Sequence, residues 1–236
     1  MTQSNALIIF AVTNQIDRGD QSDPFAALPW DDLDALYTAF LSDTLRVAIQ
    51  LFDVDVLVYR NTKEISDDFF LSYKYRVKLF DMNEDPLAEQ VQQAVENAFQ
   101  LGYQRVTVLL ENNPLITNKI LRLAFAQLGY EDDCIVFGPT NEDRCYLIGM
   151  KSDHSSIFNI VESDPLKNSH TLFKAIMKND LMVFPIVTLN ALDSGSGLLQ
   201  LKKILEEGTM NGDTPSKTLA VYKMLEKKYR FRKIFQ

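Results

Sequence analysis

The run Ala6-Leu7-Ile8-Ile9-Phe10-Ala11-Val12 contains no polar residue. A strand with one wet face alternates apolar and polar side chains, so an unbroken apolar run demands cover on both faces. Helices must therefore pack above and below it, and the rest of the chain supplies them. Leu33, Leu36, Tyr37, Phe40, Leu41, Leu45, Ala48 and Ile49 recur at helical spacing. Further helices are expected from Pro86, from a Thr117 cap, at Leu172 to Met177, at Ser196 to Glu207 and at Ser216 to Tyr229. Strand-like runs lie between them at Val54 to Tyr59, Val77 to Phe80, Val106 to Leu110, Cys134 to Phe137, Cys145 to Met150 and Met182 to Ile186. This alternation predicts an α/β protein, a three-layer α/β/α sandwich with a mainly parallel sheet and residues 6 to 12 as a central strand. Asp67 to Tyr75 fits neither pattern.

Composition narrows the class. The chain has 236 residues, 46% of them hydrophobic, enough for a sizeable core. Its net charge of −8 argues against binding DNA or an anionic membrane through the whole surface. No stretch approaches the ~18 apolar residues of a membrane helix, and the N-terminus lacks the basic region and cleavage site of a signal peptide. A cytoplasmic location is the expectation, with Cys134 and Cys145 as reduced core residues. His154 and His170 show no metal-ligand spacing.

Ligands of parallel sheets sit at the carboxyl ends of strands. Chemistry is therefore sought after Val12, after Leu110 and after Phe137. Asp53-Val54-Asp55 has the form of a DxD metal motif but precedes its strand, at the wrong end of the sheet. Trp30 is expected to pack as a staple before the first helix.

Several segments together resemble a bacterial family assigned as GT-A-type glycosyltransferases, of the nucleotide-diphospho-sugar transferase superfamily, some of whose members are assigned to arsenosugar biosynthesis. Phe10-Ala11-Val12 stands where that family has Phe-Ala-Lys. Leu36-Tyr37-Thr38-Ala39-Phe40-Leu41-Ser42-Asp43-Thr44-Leu45 matches its Leu-Tyr-x-Ala-Phe-Leu-x-Asp-Thr-Leu. Gly138 to Gly149 follows its Gly-Pro-Ala-x-Asp-Gly-Gly-Tyr-Tyr-Leu-Ile-Gly, and Asp193-Ser194-Gly195 occupies its Asp-Thr-Pro. The matches run in order from about residue 6 to 205. The resemblance implies a GT-A-like domain over residues 1–207; it fades before residues 208–236, which by their own pattern are expected to form a C-terminal helix and tail packed on that domain. It implies nucleotide-sugar contacts from Phe10, Ala11, Val12, Arg18, Asn112, Asn113 and Tyr146.

The departures fall on the chemistry. Where the family has a basic Lys-Thr-Arg run, this chain has Asp20, Gln21 and Ser22, with Arg18 the nearest cation. A charge pair near 4 Å is worth ~4 kcal/mol at an effective dielectric of 20, so the change disfavours a diphosphate. Asn112 replaces the family aspartate that helps hold a divalent metal, and an amide oxygen ligates without the charge. Glu111 is expected to point to the opposite face by strand alternation. Glu142-Asp143-Arg144 replaces Asp-Gly-Gly, filling a place where backbone approaches ligand. The reading is a divergent protein with a degenerate site, weakly active or non-catalytic, that binds a nucleotide sugar or a partner. The alternative is an active glycosyltransferase or nucleotidyltransferase using Mg²⁺ or Mn²⁺, with Asp193 or Asp143 catalytic and Asn112, Glu142 and Asp143 on the metal. Each has a bland counterpart: Asn112 and Asn113 as turn formers, Glu142 and Asp143 as a solvated turn, Asp193 as a helix start.

Lys217 to Gln236 holds seven Lys or Arg, interleaved with Tyr222, Tyr229, Phe231 and Phe235. The expectation is a helix docked through Ala220, Val221, Met224, Leu225 and Tyr229. Its tail is a candidate self-association surface and a weaker candidate for nucleic acid.

Overall fold

The computed structural model describes residues 4–11, 28–61, 65–83, 85–159, 168–192, 195–207 and 214–229. Val12, Arg18, Asp20, Gln21, Ser22, Asp193 and the tail beyond Tyr229 lie outside the described residues. Seven strands form one sheet: β1 (Asn5–Ala11), β2 (Asp55–Arg60), β3 (Val77–Asp81), β4 (Arg105–Leu109), β5 (Cys134–Pro139), β6 (Cys145–Met150) and β7 (Met182–Pro185). Their spatial order is β3-β2-β1-β4-β6-β5-β7. All neighbours are parallel except β6, which runs antiparallel to β4 and β5. The helices are α1 (Trp30–Ala48), α2 (Asp67–Phe70), α3 (Leu87–Gln100), α4 (Asn118–Gln127), α5 (Ser169–Lys178), α6 (Gly195–Glu207) and α7 (Ser216–Tyr229), with a 3₁₀ turn at Ser155–Phe158.

β1 is hydrogen-bonded to β2 on one side and β4 on the other. Leu7, Ile9 and Ala11 face a core built with α1 and α4, including Leu41, Leu45, Leu121 and Ala124. Ala6, Ile8 and Phe10 face a second core with Val91, Ala94 and Val95 of α3 and Leu172 and Ile176 of α5. Two covered faces are the physical reason why this strand carries no polar position. The ambiguous segment 67–75 resolves into the short helix α2 followed by turns. Thr117 caps α4 as expected, its side chain accepting from the Ile120 N–H.

α1 is buried on both sides. One side meets the sheet, while Leu33, Leu36, Tyr37 and Phe40 pack in a third core with Leu201 and Leu205 of α6 and Tyr222 and Leu225 of α7. This explains why Asp32, Asp43 and Thr44 of α1 are buried along with its apolar residues. α7 docks through Thr218, Tyr222 and Leu225; Ala220 and Met224 face outward, a rotation from the expected stripe. Two acids of α1 set that rotation. Asp43, 1% exposed, accepts from the Thr218 N–H at 2.8 Å and the Lys217 N–H at 3.4 Å, capping α7. Asp32 accepts from Lys228 Nζ at 2.7 Å and from the Tyr229 hydroxyl. Trp30 is the first residue of α1 and is 46% exposed, so it does not pack as a staple. Both cysteines are buried and reduced. Among the described residues, no helix is long and apolar enough to cross a membrane.

Candidate functional site

Because β6 alone runs backwards, the carboxyl ends of β1 to β5 and the start of β6 share one end of the sheet. The loop after β4 and the turn between β5 and β6 meet there, beside α1. Glu111, Asn112, Asn113 and Arg144 line a small cleft with Tyr37, Phe40 and Leu192. Its volume is about 30 Å³, room for about two waters. Leu192 directly precedes Asp193, which lies outside the described residues.

Asn112 is 8% exposed, and its side-chain amide donates to the Phe10 carbonyl at 2.9 Å. It ties the loop after β4 to the end of β1. Asn113 is 2% exposed; its amide donates to the Asn190 carbonyl at 2.8 Å, while its side-chain oxygen accepts from the Leu115 N–H at 3.0 Å. Both amides therefore brace the backbone around the cleft. Glu111 does not point away. β4 ends at Leu109, beyond which strand alternation no longer applies, and the Asn113 N–H turns back onto the Glu111 carbonyl at 3.0 Å. Glu111 consequently lines the cleft with its two neighbours.

Arg144 stands between two acids. Its Nε lies 3.5 Å from Glu111 Oε1, and its Nη2 lies 4.0 Å from Glu142 Oε2. Burial pushes the Glu111 carboxyl above its ordinary range, Arg144 pulls it down, and Glu142 pushes it up. Asp143 takes a left-handed backbone, φ +53°, at the position where the resemblance places a glycine. Aspartate is among the few non-glycine residues that tolerate it. The Thr140 hydroxyl oxygen accepts from the Arg144 N–H at 3.1 Å, holding the turn that aims Arg144 at Glu111.

Phe10 and Ala11 are buried in the two cores, and the Phe10 carbonyl accepts from Asn112 of the loop after β4. Tyr146 is fully buried, donating to the Val187 carbonyl at 2.8 Å, and burial raises its hydroxyl pKa. Gly138 lies against its ring: a Cβ there would sit 2.7 Å from Tyr146 Cζ. The structure thus brings Asn112 and Asn113 together with Glu111 and Arg144, and leaves Tyr146 in the core. Glu142 and Asp143 are exposed on the turn. Asp53 and Asp55 lie at the opposite end of the sheet, where Asp55 accepts from Lys78 Nζ at 2.8 Å. His170 sits in the first turn of α5, whose leading Ser169 N–H donates to the Asp143 carbonyl at 2.6 Å. Sequence reasoning did not single out Tyr37, Phe40 or Arg144 as cleft residues. The contrast of Arg144 with the glycine of the resemblance was the available signal.

This arrangement, with its sheet order and its loops gathered at one end, defines a fold of the nucleotide-diphospho-sugar transferase type. The chain belongs to the bacterial family of uncharacterised proteins designated DUF2064, whose model matches residues 44–163, just over half of its length. No curated protein matches in sequence. Among solved structures, it is similar to one from Desulfovibrio desulfuricans G20 assigned as a nucleotide-diphospho-sugar transferase. That match has a TM-score of 0.74 at 17% identity and covers 97% of this chain and 99% of the other. It is also similar to a cytidylyltransferase from Leptospira borgpetersenii, with a TM-score of 0.55 at 15% identity, covering 96% and 95%. A 4-diphosphocytidyl-2C-methyl-D-erythritol synthase from Anaerococcus prevotii gives a TM-score of 0.52 at 10% identity over 94% and 97%. At these identities the likeness establishes the fold.

Proposed function

We propose that this chain is a divergent member of its fold that binds a nucleotide sugar without metal-dependent transfer. The observation that carries the reading is Arg144, a fixed cation within 4.0 Å of both Glu111 and Glu142. A divalent ion held by Asn112, Glu142 and Asp143 would sit beside that guanidinium, which stays charged at every accessible pH. Two charges of like sign near 4 Å repel by ~4 kcal/mol per unit product at an effective dielectric of 20. The donor set is also short of charge, because Asn112 offers only an amide oxygen and its N–H is committed to Phe10. Among the described residues, no group of three or more His, Cys, Asp or Glu side chains is placed to hold a metal. The residues present fit a divalent cation poorly, and no chemical step is derived through one.

Strand-end loops remain the place where an open parallel sheet offers backbone groups to a ligand. The likeness to nucleotide-using folds supports a nucleotide sugar as the class. A thermal-shift screen of UDP-, GDP- and CDP-sugars, with and without Mn²⁺, tests the proposal. A ligand at a hundredfold excess over its Kd stabilises by ~2.7 kcal/mol, or ~5–10 °C for a chain of this size. The expected result is a shift with at least one sugar nucleotide that does not depend on Mn²⁺. A shift confined to Mn²⁺, or measurable sugar transfer, supports the active enzyme with Asp193 and substitute carboxylates instead. No shift with any nucleotide sugar overturns the binding reading.

A further inference from the structure

A second cleft, separate from the Arg144 site, opens at the β3 edge of the sheet on the side covered by α3. Its volume is about 300 Å³, the lower end of the range for small-molecule sites. Tyr59, Phe80, Asp81, Gln90, Gln93 and Asn97 line it. Phe10, Tyr59 and Phe80 are register partners on β1, β2 and β3. Their rings form a ladder, with centroids 5.5 Å apart between Phe10 and Tyr59 and 4.9 Å between Tyr59 and Phe80. Phe80 stands on the edge strand, so the ladder ends in the cleft wall.

The polar lining decides what the cleft accepts. Among the described residues no lysine or arginine lines it, so nothing there favours a phosphate. The one carboxylate among the described lining residues, Asp81, already faces Arg60 Nε at 3.3 Å, so it does not call for a metal ion. Each amide of Gln90, Gln93 and Asn97 spends one of its two N–H groups within the protein. Gln90 Nε2 donates to the Asp85 carbonyl at 2.6 Å, Gln93 Nε2 to Asp85 Oδ2 at 3.2 Å, and Asn97 Nδ2 to the Tyr59 hydroxyl at 2.9 Å. Beside the second N–H of each of these amides, a buried acceptor and a hydroxyl donor stand open. Gln90 is 8% exposed, and its Oε1 has no hydrogen-bond partner among the described residues. A buried carbonyl left this way costs ~1–3 kcal/mol, and with under 1 Å² of it exposed a ligand hydroxyl relieves that cost once the Gln90 side chain turns toward the cleft. The Tyr59 hydroxyl accepts from Asn97 and commits its own proton to no acceptor among the described residues. A ligand that satisfies both must donate and accept at neighbouring atoms while laying an apolar face on an aromatic wall.

We infer that this cleft between the β3 edge and α3 is a binding site for a neutral polyhydroxylated ligand of monosaccharide size. Sugar hydroxyls donate and accept, carry no charge, and leave a C–H face to stack on Phe80. The inference goes beyond the proposed function and does not rest on it. The test is isothermal titration and ligand-observed NMR of the full chain with D-glucose, D-galactose, D-mannose and N-acetylglucosamine, with uridine and cytidine as planar comparators. At least one sugar should bind saturably. Tyr59→Phe, which keeps the ring and the ladder, should weaken that binding about tenfold, the worth of one hydrogen bond. Gln90→Met should abolish it while the protein still unfolds cooperatively. Arg144→Gly should leave it unchanged. The inference fails if no sugar binds saturably, if only the nucleosides bind, or if Tyr59→Phe and a folded Gln90→Met bind as the unaltered chain does.

Discussion

Removing the Asp43 carboxylate should release the C-terminal helix. Asp43 is 1% exposed and caps α7 through the Thr218 and Lys217 N–H groups, at 2.8 and 3.4 Å. It also lies 3.6 Å from Arg46 Nε, and Arg46 in turn donates to the Thr214 carbonyl at 3.0 Å, just before α7. In Asp43→Ala the cap is lost, at ~1–2 kcal/mol. A buried N–H is left unsatisfied as well, at ~1–3 kcal/mol. These overlap, so the expected loss is ~3 kcal/mol. For a chain of this length each kcal/mol moves Tm by ~2–4 °C, giving a fall of ~6–12 °C if α7 unfolds with the rest. If α7 instead detaches first, its opening equilibrium rises about a hundredfold, and hydrogen exchange reads that directly. Asp43→Asn keeps an acceptor oxygen and should lose only ~1 kcal/mol. The assay is calorimetry together with amide exchange over residues 216–229. Should Asp43→Ala melt within the error of the unaltered protein and keep its exchange protection in α7, the capping account is wrong.

Other perturbations have equally definite outcomes. Asn112→Asp sets a carboxylate oxygen against the Phe10 carbonyl, now 2.9 Å from an amide nitrogen; it should destabilise by ~1–3 kcal/mol and create no Mn²⁺ affinity by titration calorimetry. Gly138→Ala drives a methyl to 2.7 Å from Tyr146 Cζ, and should cost ~1–3 kcal/mol in denaturant melts. Glu111 carries a pKa raised by burial, so the folded state holds its proton more tightly than the unfolded chain does. Acidification below ~4.3 therefore relieves the cost of ionised Glu111, and that cost returns as pH rises through the folded-state pKa. Glu111→Gln removes it, so Tm measured across pH should show the variant gaining more, relative to the unaltered chain, at neutral than at acid pH.

Much of the fold was legible because its signals are local. The unbroken run at β1 required two covered faces, and Thr117 marked a cap. The α7 stripe was misplaced because helical periodicity leaves rotation open, whereas the buried caps Asp43 and Asp32 choose one orientation. They sit 174 or more residues away in sequence from the groups they hold. The site was partly legible for the same reason. Asn112, Asn113 and the filled glycine pair stood out by position and type. Glu111 was misread because alternation was carried past the end of β4. The ion pair of Arg144 with Glu111 spans two loops, and no spacing rule connects them. The Gln90 cleft was invisible in sequence, since an amide lacking a partner has no signature there.

The central claim is that Arg144 stands where a metal-dependent transferase needs room for a divalent ion. Titration calorimetry of the tightest-binding nucleotide sugar, run with and without Mn²⁺, tests this most directly. The account predicts the same Kd in both conditions, and no Mn²⁺ heat in the absence of nucleotide. A tightening of tenfold or more on adding Mn²⁺, ~1.4 kcal/mol of coupling between metal and nucleotide, would contradict it.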